Sequence, residues 1–201
     1  MNLDYPDGAT PLDPNEIEGL RLAHISTRAE LNRWEQDNIT AGEAWAFARK
    51  QKDILSDGFM RRLHKRMFGT VWRWAEQFRT SDKNIGGTWW KIPTDLKNLC
   101  DDVAIWIESG SYPPDEIAAR FHHRLVAIHL FPNGNGRHAR TITDLLLVQK
   151  LGRPRFTWGS GNPVDSEACR RQYIDALRSA DRHDYQPFMD FVRTLPVQNL
   201  P

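Results

Sequence analysis

His129-Leu130-Phe131-Pro132-Asn133-Gly134-Asn135-Gly136-Arg137-His138-Ala139-Arg140 is the stretch whose reading decides the fold. Upstream, Ile117, Phe121, Leu125 and Ile128 recur at helical spacing, which predicts a core-facing helix running to the histidine. Downstream, Ile142, Leu145, Leu146 and the run to Val148 predict a second, buried helix beginning near Arg137. The Asn-Gly-Asn-Gly between them can take positive φ angles, so successive backbone N–H groups can turn toward one point. Such a nest at a helix N-terminus favours an anion. Arg137 and Arg140 stand one turn apart on one helix face and can grip different oxygens of a polyphosphate. The string therefore reads as a phosphate site with a proton acceptor beside it. It is not the common nucleotide-binding P-loop, because no Gly-Lys-Ser/Thr follows the glycines and a helix rather than a strand precedes them.

Composition narrows the remaining choices. A chain of 201 residues suits one domain with a substantial core. A net charge of +1 creates no global field toward nucleic acid or membrane, so neither is expected as a partner. Two cysteines, Cys100 and Cys169, are too few for a disulfide framework and suit a reducing compartment. The opening MNLDYPDGATPLDP has no basic region followed by an apolar run, and no apolar stretch reaches membrane-spanning length. A cytoplasmic location is the expectation. The oligomeric state is left open, a homo-oligomer included.

The periodicity predicts a mostly α chain with no internal repeat. Helices are expected over Thr27–Lys52, Asp57–Trp74, Asp95–Ser109, Pro114–Ile128, the signature helix, Asp165–Ala180 and Tyr185–Thr194. Residues 1–13 read as extended, and Gly69, Gly110 and the Gly159–Pro163 stretch punctuate the pattern. Asp13-Pro14-Asn15-Glu16 opens a short helix, with Asp as N-cap, Pro at the first position and Glu three after the cap; Gly19 stops it. Thr80–Pro93 breaks the helical pattern, and its Gly86-Gly87 pair reads as a hairpin turn. His122, His123 and His129 lack a carboxylate at ligand spacing, so they are not read as a metal site, and His122 and His123 are read as core or surface histidines. His24, His64 and His183 are read the same way, and Trp72, Trp74, Trp89 and Trp90 are assigned to packing and to the hairpin.

The quoted string resembles the Fic-domain signature, His-x-Phe-x-Asp/Glu-Gly-Asn-Gly-Arg-x-x-Arg, with Asn133 in the acidic position. Phe59–Arg79 resembles the family segment before its active-site flap, with Glu76 where many members have glycine, and Tyr173–Phe188 resembles its closing helix. The whole is similar to the group called mobile mystery protein B, small Fic proteins associated with mobile elements, over roughly residues 14 to 192. The resemblance implies a single Fic domain over residues 1–201, its core at about 50–192: a helical bundle with a small β-hairpin flap over the active site.

The resemblance also implies an activity: a protein nucleotidyltransferase that moves AMP from ATP to a Ser, Thr or Tyr hydroxyl of a target docked on the flap. His129 would take the hydroxyl proton. Gly134, Asn135 and Gly136 would hold the α- and β-phosphates, Arg137 would neutralise the pyrophosphate, and Arg140 would grip the γ-phosphate. Ile85 and Gly86 would cover the nucleotide from the flap, and Tyr173 and Asp181 would line the adenine pocket. Asn133 would reach the Mg²⁺, and its amide oxygen, carrying no charge, implies weaker metal binding with Mn²⁺ tolerated. Ile17-Glu18-Gly19 looks like the family's inhibitory motif, Ser/Thr-x-x-x-Glu-Gly/Asn, with Pro14 in place of the Ser/Thr. Glu18 would then pair with Arg140 in the γ-phosphate's place. Two alternatives stand beside transfer: hydrolytic removal of AMP, and a non-catalytic nucleotide-binding module disabled by Asn133.

Overall fold

The structure, a computed structural model, describes residues 10–22, 24–25, 27–160 and 166–194. The extended reading of residues 1–9 and the turn reading of 161–163 lie outside them. The described chain is helical: α1 (Pro14–Ile17), α2 (Arg28–Phe47), α3 (Asp57–Phe68), a 3₁₀ turn (Trp89–Lys91), α4 (Ile92–Ser109), α5 (Pro114–Ile128), α6 (Asn135–Gln149), α7 (Ser166–Asp181) and α8 (Gln186–Val192).

Local chemistry sets the ends of these elements. Thr27 and Glu30 form a reciprocal box at the start of α2, with Glu30 N–H donating to Thr27 Oγ1 at 3.2 Å and Thr27 N–H to Glu30 Oε2 at 3.1 Å. Ser56 Oγ accepts from Phe59 N–H at 3.1 Å and starts α3. The predicted helix Asp57–Trp74 stops at Phe68, because tight turns then carry Trp72 and Trp74 back into the core, stacked at 4.9 Å between centroids. The chain there makes its one β-bridge among the described residues, Leu20 to Trp72. α4 starts three residues earlier than its periodicity suggests, with Pro93 in the first turn, where a missing N–H costs nothing.

The two signature helices, α5 and α6, pack against each other at the centre. α6 is almost wholly inside: Ile142, Leu145, Leu146 and Leu147 are 0% exposed. Burying each such side chain contributes roughly 1.5–3 kcal/mol, so this helix anchors the fold. Val148, read as part of that buried run, faces solvent. One apolar cluster joins α2, α3 and α4 to the outer faces of α5 and α6; a smaller one, around Ala118, Leu147, Phe188 and Val192, seats α7 and α8. No described helix is long and apolar enough to cross a membrane, and both cysteines are free.

The β-hairpin flap is not present. Among the described residues there is no strand, and residues 80–88 form an irregular loop. The physical reason is Arg79, fully buried, whose guanidinium takes the backbone carbonyls of the loop for itself. Nη1 donates to Ser81 O at 2.7 Å and Nη2 to Gly87 O, so those carbonyls are not available to pair across a hairpin.

Candidate active site

One cavity of about 950 Å³ gathers nearly every residue that the sequence singled out. Its lining includes His129, Asn133, Gly134, Asn135, Gly136, Arg137 and Arg140 on one side, Ile85 and Gly86 on a second, and Tyr173 and Asp181 on a third. Glu18 is absent from it.

His129 ends α5 in the left-handed conformation, φ 58°, which a residue with a Cβ adopts at a cost. Arg79 holds it there: its Nε donates to His129 O at 2.6 Å and its Nη2 to Ile128 O at 3.3 Å. Gly86 lies directly against the ring, since a Cβ at that position would stand 2.5 Å from His129 Cβ. The imidazole is therefore covered, and burial pushes its pKa down to about 4, with the charges of Arg79 and Lys83 adding to the effect. Arg137 and Arg140 are not among the causes. A neutral ring at pH 7 is the form that accepts a proton. Its Nε2 lies 3.3 Å from the hydroxyl of Thr10.

The loop after His129 is wrapped by its own side chains. Gly134, φ 79°, caps α6 and leaves no room for a side chain, because a Cβ would meet the Phe68 ring at 2.5 Å. Asn135 is buried and both ends of its amide are engaged: Phe131 N–H donates to Oδ1 at 2.9 Å and Nδ2 donates to Phe131 O at 2.7 Å. The expectation that this side chain holds the phosphates is changed accordingly: its amide is engaged with Phe131 and shapes the loop. Beneath the loop, His64 stacks on Phe131 at 3.7 Å and its Nε2 lies 3.1 Å from Asn133 O.

The two arginines differ. Arg137 Nη1 donates to Glu35 Oε2 at 2.7 Å, and Glu35, only 4% exposed, also accepts from Trp72 Nε1 at 2.8 Å. Arg140 has no ion pair among the described residues; its guanidinium faces the Tyr173 ring at 4.8 Å, and its Nε is buried without a partner. That leaves a cation facing the cavity with donors to spare. Tyr173 OH lies 2.9 Å from His122 Nε2, and burial pushes the phenol up to about 12. Asp181 is exposed and its Oδ1 lies 2.8 Å from His123 Nε2 at the cavity rim.

Glu18 does not pair with Arg140. It is exposed at the end of α1, because that helix is a single turn and position 18 swings to solvent. The inward acid is Glu16, which shares Lys83 with the half-exposed Asp13: Lys83 Nζ donates to Asp13 Oδ2 at 2.7 Å and to Glu16 Oε2 at 2.6 Å. Sequence reasoning missed Arg79, Lys83, Thr10 and Glu35. The signal available was slight, a lone arginine and lysine flanking the helix break and one of three glutamates on α2.

The donor set for a metal is thin. Asn133 Oδ1 already accepts from Gly134 N–H at 2.6 Å, and the one carboxylate among the named lining residues, Asp181, is engaged by His123. Described residues hold no group of three or more His, Cys, Asp or Glu placed for a metal. The chain thus fits a divalent ion only as a single neutral oxygen ligand beside the phosphates that would carry it.

A family model described as the Fic/DOC family matches residues 54–147. Over 190 residues it is 31% identical to the protein adenylyltransferase Fic of Aedes aegypti, and 32% identical to that of Drosophila mojavensis. Each alignment covers 92% of this chain and 33% of the relative, so the chain spans about a third of those proteins' length. Among solved structures, a Fic domain-containing signalling protein of Bacteroides thetaiotaomicron superposes with a TM-score of 0.66 at 19% identity, covering 94% of this chain and 89% of that one. The BepC effector protein of Bartonella tribocorum, solved with bound AMPPNP, gives 0.68 at 14% identity, covering 90% and 97%. The mostly helical Fic fold follows from these.

Proposed function

We propose that this chain is a protein adenylyltransferase of Fic type, transferring AMP from ATP to a hydroxyl on protein. The observation that carries this reading is the convergence of a buried, neutral His129 with the Gly134–Gly136 helix start, Arg137 and Arg140 around one cavity. The activity named for the Aedes and Drosophila relatives supports it, as does the ATP analogue named in the BepC structure. The finer resemblance to mobile mystery protein B and a cytoplasmic setting belong to the same reading.

In this reading the backbone N–H groups opening α6 and the unpaired Arg140 hold the triphosphate, aided by the helix dipole. Arg137, positioned by Glu35, lies where negative charge grows on the leaving pyrophosphate. His129 Nε2 takes the proton of the attacking hydroxyl. Mg²⁺ or Mn²⁺ supplies charge neutralisation on the phosphates when bound, and Asn133 Oδ1 is the protein oxygen that would reach it. Ile85 and Gly86 cover the base from the loop, and a target backbone would lie along that loop. Tyr173 and Asp181 line the far wall for the adenine. Any restraint on the enzyme falls to Glu35, which holds Arg137.

Incubation of the protein with ATP labelled at the α-phosphate and a cell lysate tests the reading. Label on protein that falls by about 10²–10⁴-fold in His129→Ala is expected. ATP binding without transfer makes the chain a nucleotide-binding module instead, and release of AMP from pre-modified protein makes it a hydrolase.

A further inference from the structure

The cavity already contains a protein hydroxyl at the base. Thr10 is 7% exposed, lines the same cavity as the phosphate cradle, and points Oγ1 at His129 Nε2 from 3.3 Å. Its backbone is registered on the signature loop, with Asn133 Nδ2 donating to Thr10 O at 3.4 Å. The segment that carries it is fastened three residues on. Ser81 Oγ donates to Asp13 Oδ2 at 2.8 Å, and the buried Lys83 ammonium bridges Asp13 and Glu16. Leu12 is buried in the main apolar cluster, and Trp74 Nε1 donates to Glu16 O at 2.9 Å. This strap presents a hydroxyl to the base without filling the cradle, whose Gly134, Gly136, Arg137 and Arg140 still face open space.

We infer that Thr10 is an intramolecular acceptor: the protein adenylylates its own Thr10. This rests on the adenylyltransferase reading above and extends it to a named modification site. Thr10 Oγ1 attacks the α-phosphorus of ATP. The Oγ1–P bond forms, the bond from that phosphorus to the bridging oxygen breaks, and pyrophosphate leaves with the electron pair. The hydroxyl proton goes to His129 Nε2. Because the hydroxyl is tethered beside the base, the reaction is first order in protein, and proximity replaces an encounter with a separate target.

The test uses the full chain with ATP and Mg²⁺, followed by intact mass measurement and peptide mapping. One AMP group on Thr10 is expected, at a fractional rate unchanged over a tenfold range of protein concentration. The adduct is lost in His129→Ala and in Thr10→Val, and is retained at position 10 in Thr10→Ser. A rate that climbs with protein concentration overturns the intramolecular route. AMP found on lysate proteins or on another residue while Thr10 stays unmodified overturns the inference and leaves the adenylyltransferase reading standing. No AMP on any protein, with ATP binding retained, overturns both.

Discussion

Two loops face the cavity from opposite sides, and they are held in different ways. Residues 130–134, between α5 and α6, take most of their polar ties from immediate neighbours: Asn135 clasps Phe131 and Asn133 Oδ1 accepts from the next residue's N–H, while His64, distant in the chain, stacks beneath. Residues 80–88 have little such local wrapping. They hang on the buried Arg79 guanidinium, on Gly87 N–H donating to Ala127 O at 3.1 Å, and on Lys83 reaching the Asp13–Glu16 strap. The first loop's hydrogen bonds are stored largely next to it in the chain. The second loop's shape is stored in partners up to about 70 residues away.

Acid should separate the two most strongly. His64, beneath the first loop, and its neighbour His138 are held down to about 4 and about 3 by burial; His129 is at about 4 and His122 at about 3. All four lie below the usual 6.5, so the unfolded chain takes up protons there before the native one does. Stability from these groups is fully present above pH 6.5 and is lost as pH falls toward 4–3. Asp144, raised to about 6 by burial, works the other way, one group against four. Stopped pH titration with tryptophan fluorescence should show unfolding as pH falls below about 5, beginning around the His64–Phe131 stack; full stability at pH 4 would contradict it.

Arg79→Met strikes the other loop. Carbonyls of Ser81, Gly87, Ile128 and His129 lose a charged donor, and at about 1–3 kcal/mol for each group left unsatisfied the loss should be on the order of 4 kcal/mol. Urea denaturation measures it, and a loss under about 1 kcal/mol would mean the loop is held otherwise. Asn135→Ala removes the clasp on Phe131 and should cost about 2 kcal/mol, with nucleotide affinity falling because the cradle loosens. Glu35→Gln should have the smallest effect. It keeps an acceptor for Trp72 and removes only the charge opposite the part-exposed Arg137, so ATP affinity measured by calorimetry should tighten by about three- to tenfold, with stability nearly unchanged.

The same division explains what could be read before the structure. α5, α6 and the signature loop were legible because their determinants are periodic apolar residues and glycines within a few positions of one another. The capped start of α1 was legible for the same reason; Asp13, Pro14 and Glu16 stand within a single turn. The hairpin expected at residues 80–93 and the Glu18–Arg140 pair were not correct, because each depended on a remote partner. Local pattern admits a hairpin at Gly86-Gly87; only the burial of Arg79 against α5 forbids it. Local pattern also offers Glu16 and Glu18 equally. The capping box, in which Asp13 N–H donates to Glu16 Oε2 at 2.7 Å, turns Glu16 inward toward Lys83 and leaves Glu18 outside.

Arg79 binds the carbonyls of Ile128 and His129 with the same guanidinium that binds Ser81 and Gly87. The C-terminal turn of α5 and the 80–88 loop therefore open as one cooperative unit. Amide hydrogens at Gly87 and His129 should exchange with solvent deuterium at a common opening free energy, so any event that lifts the loop also unseats the His129 imidazole.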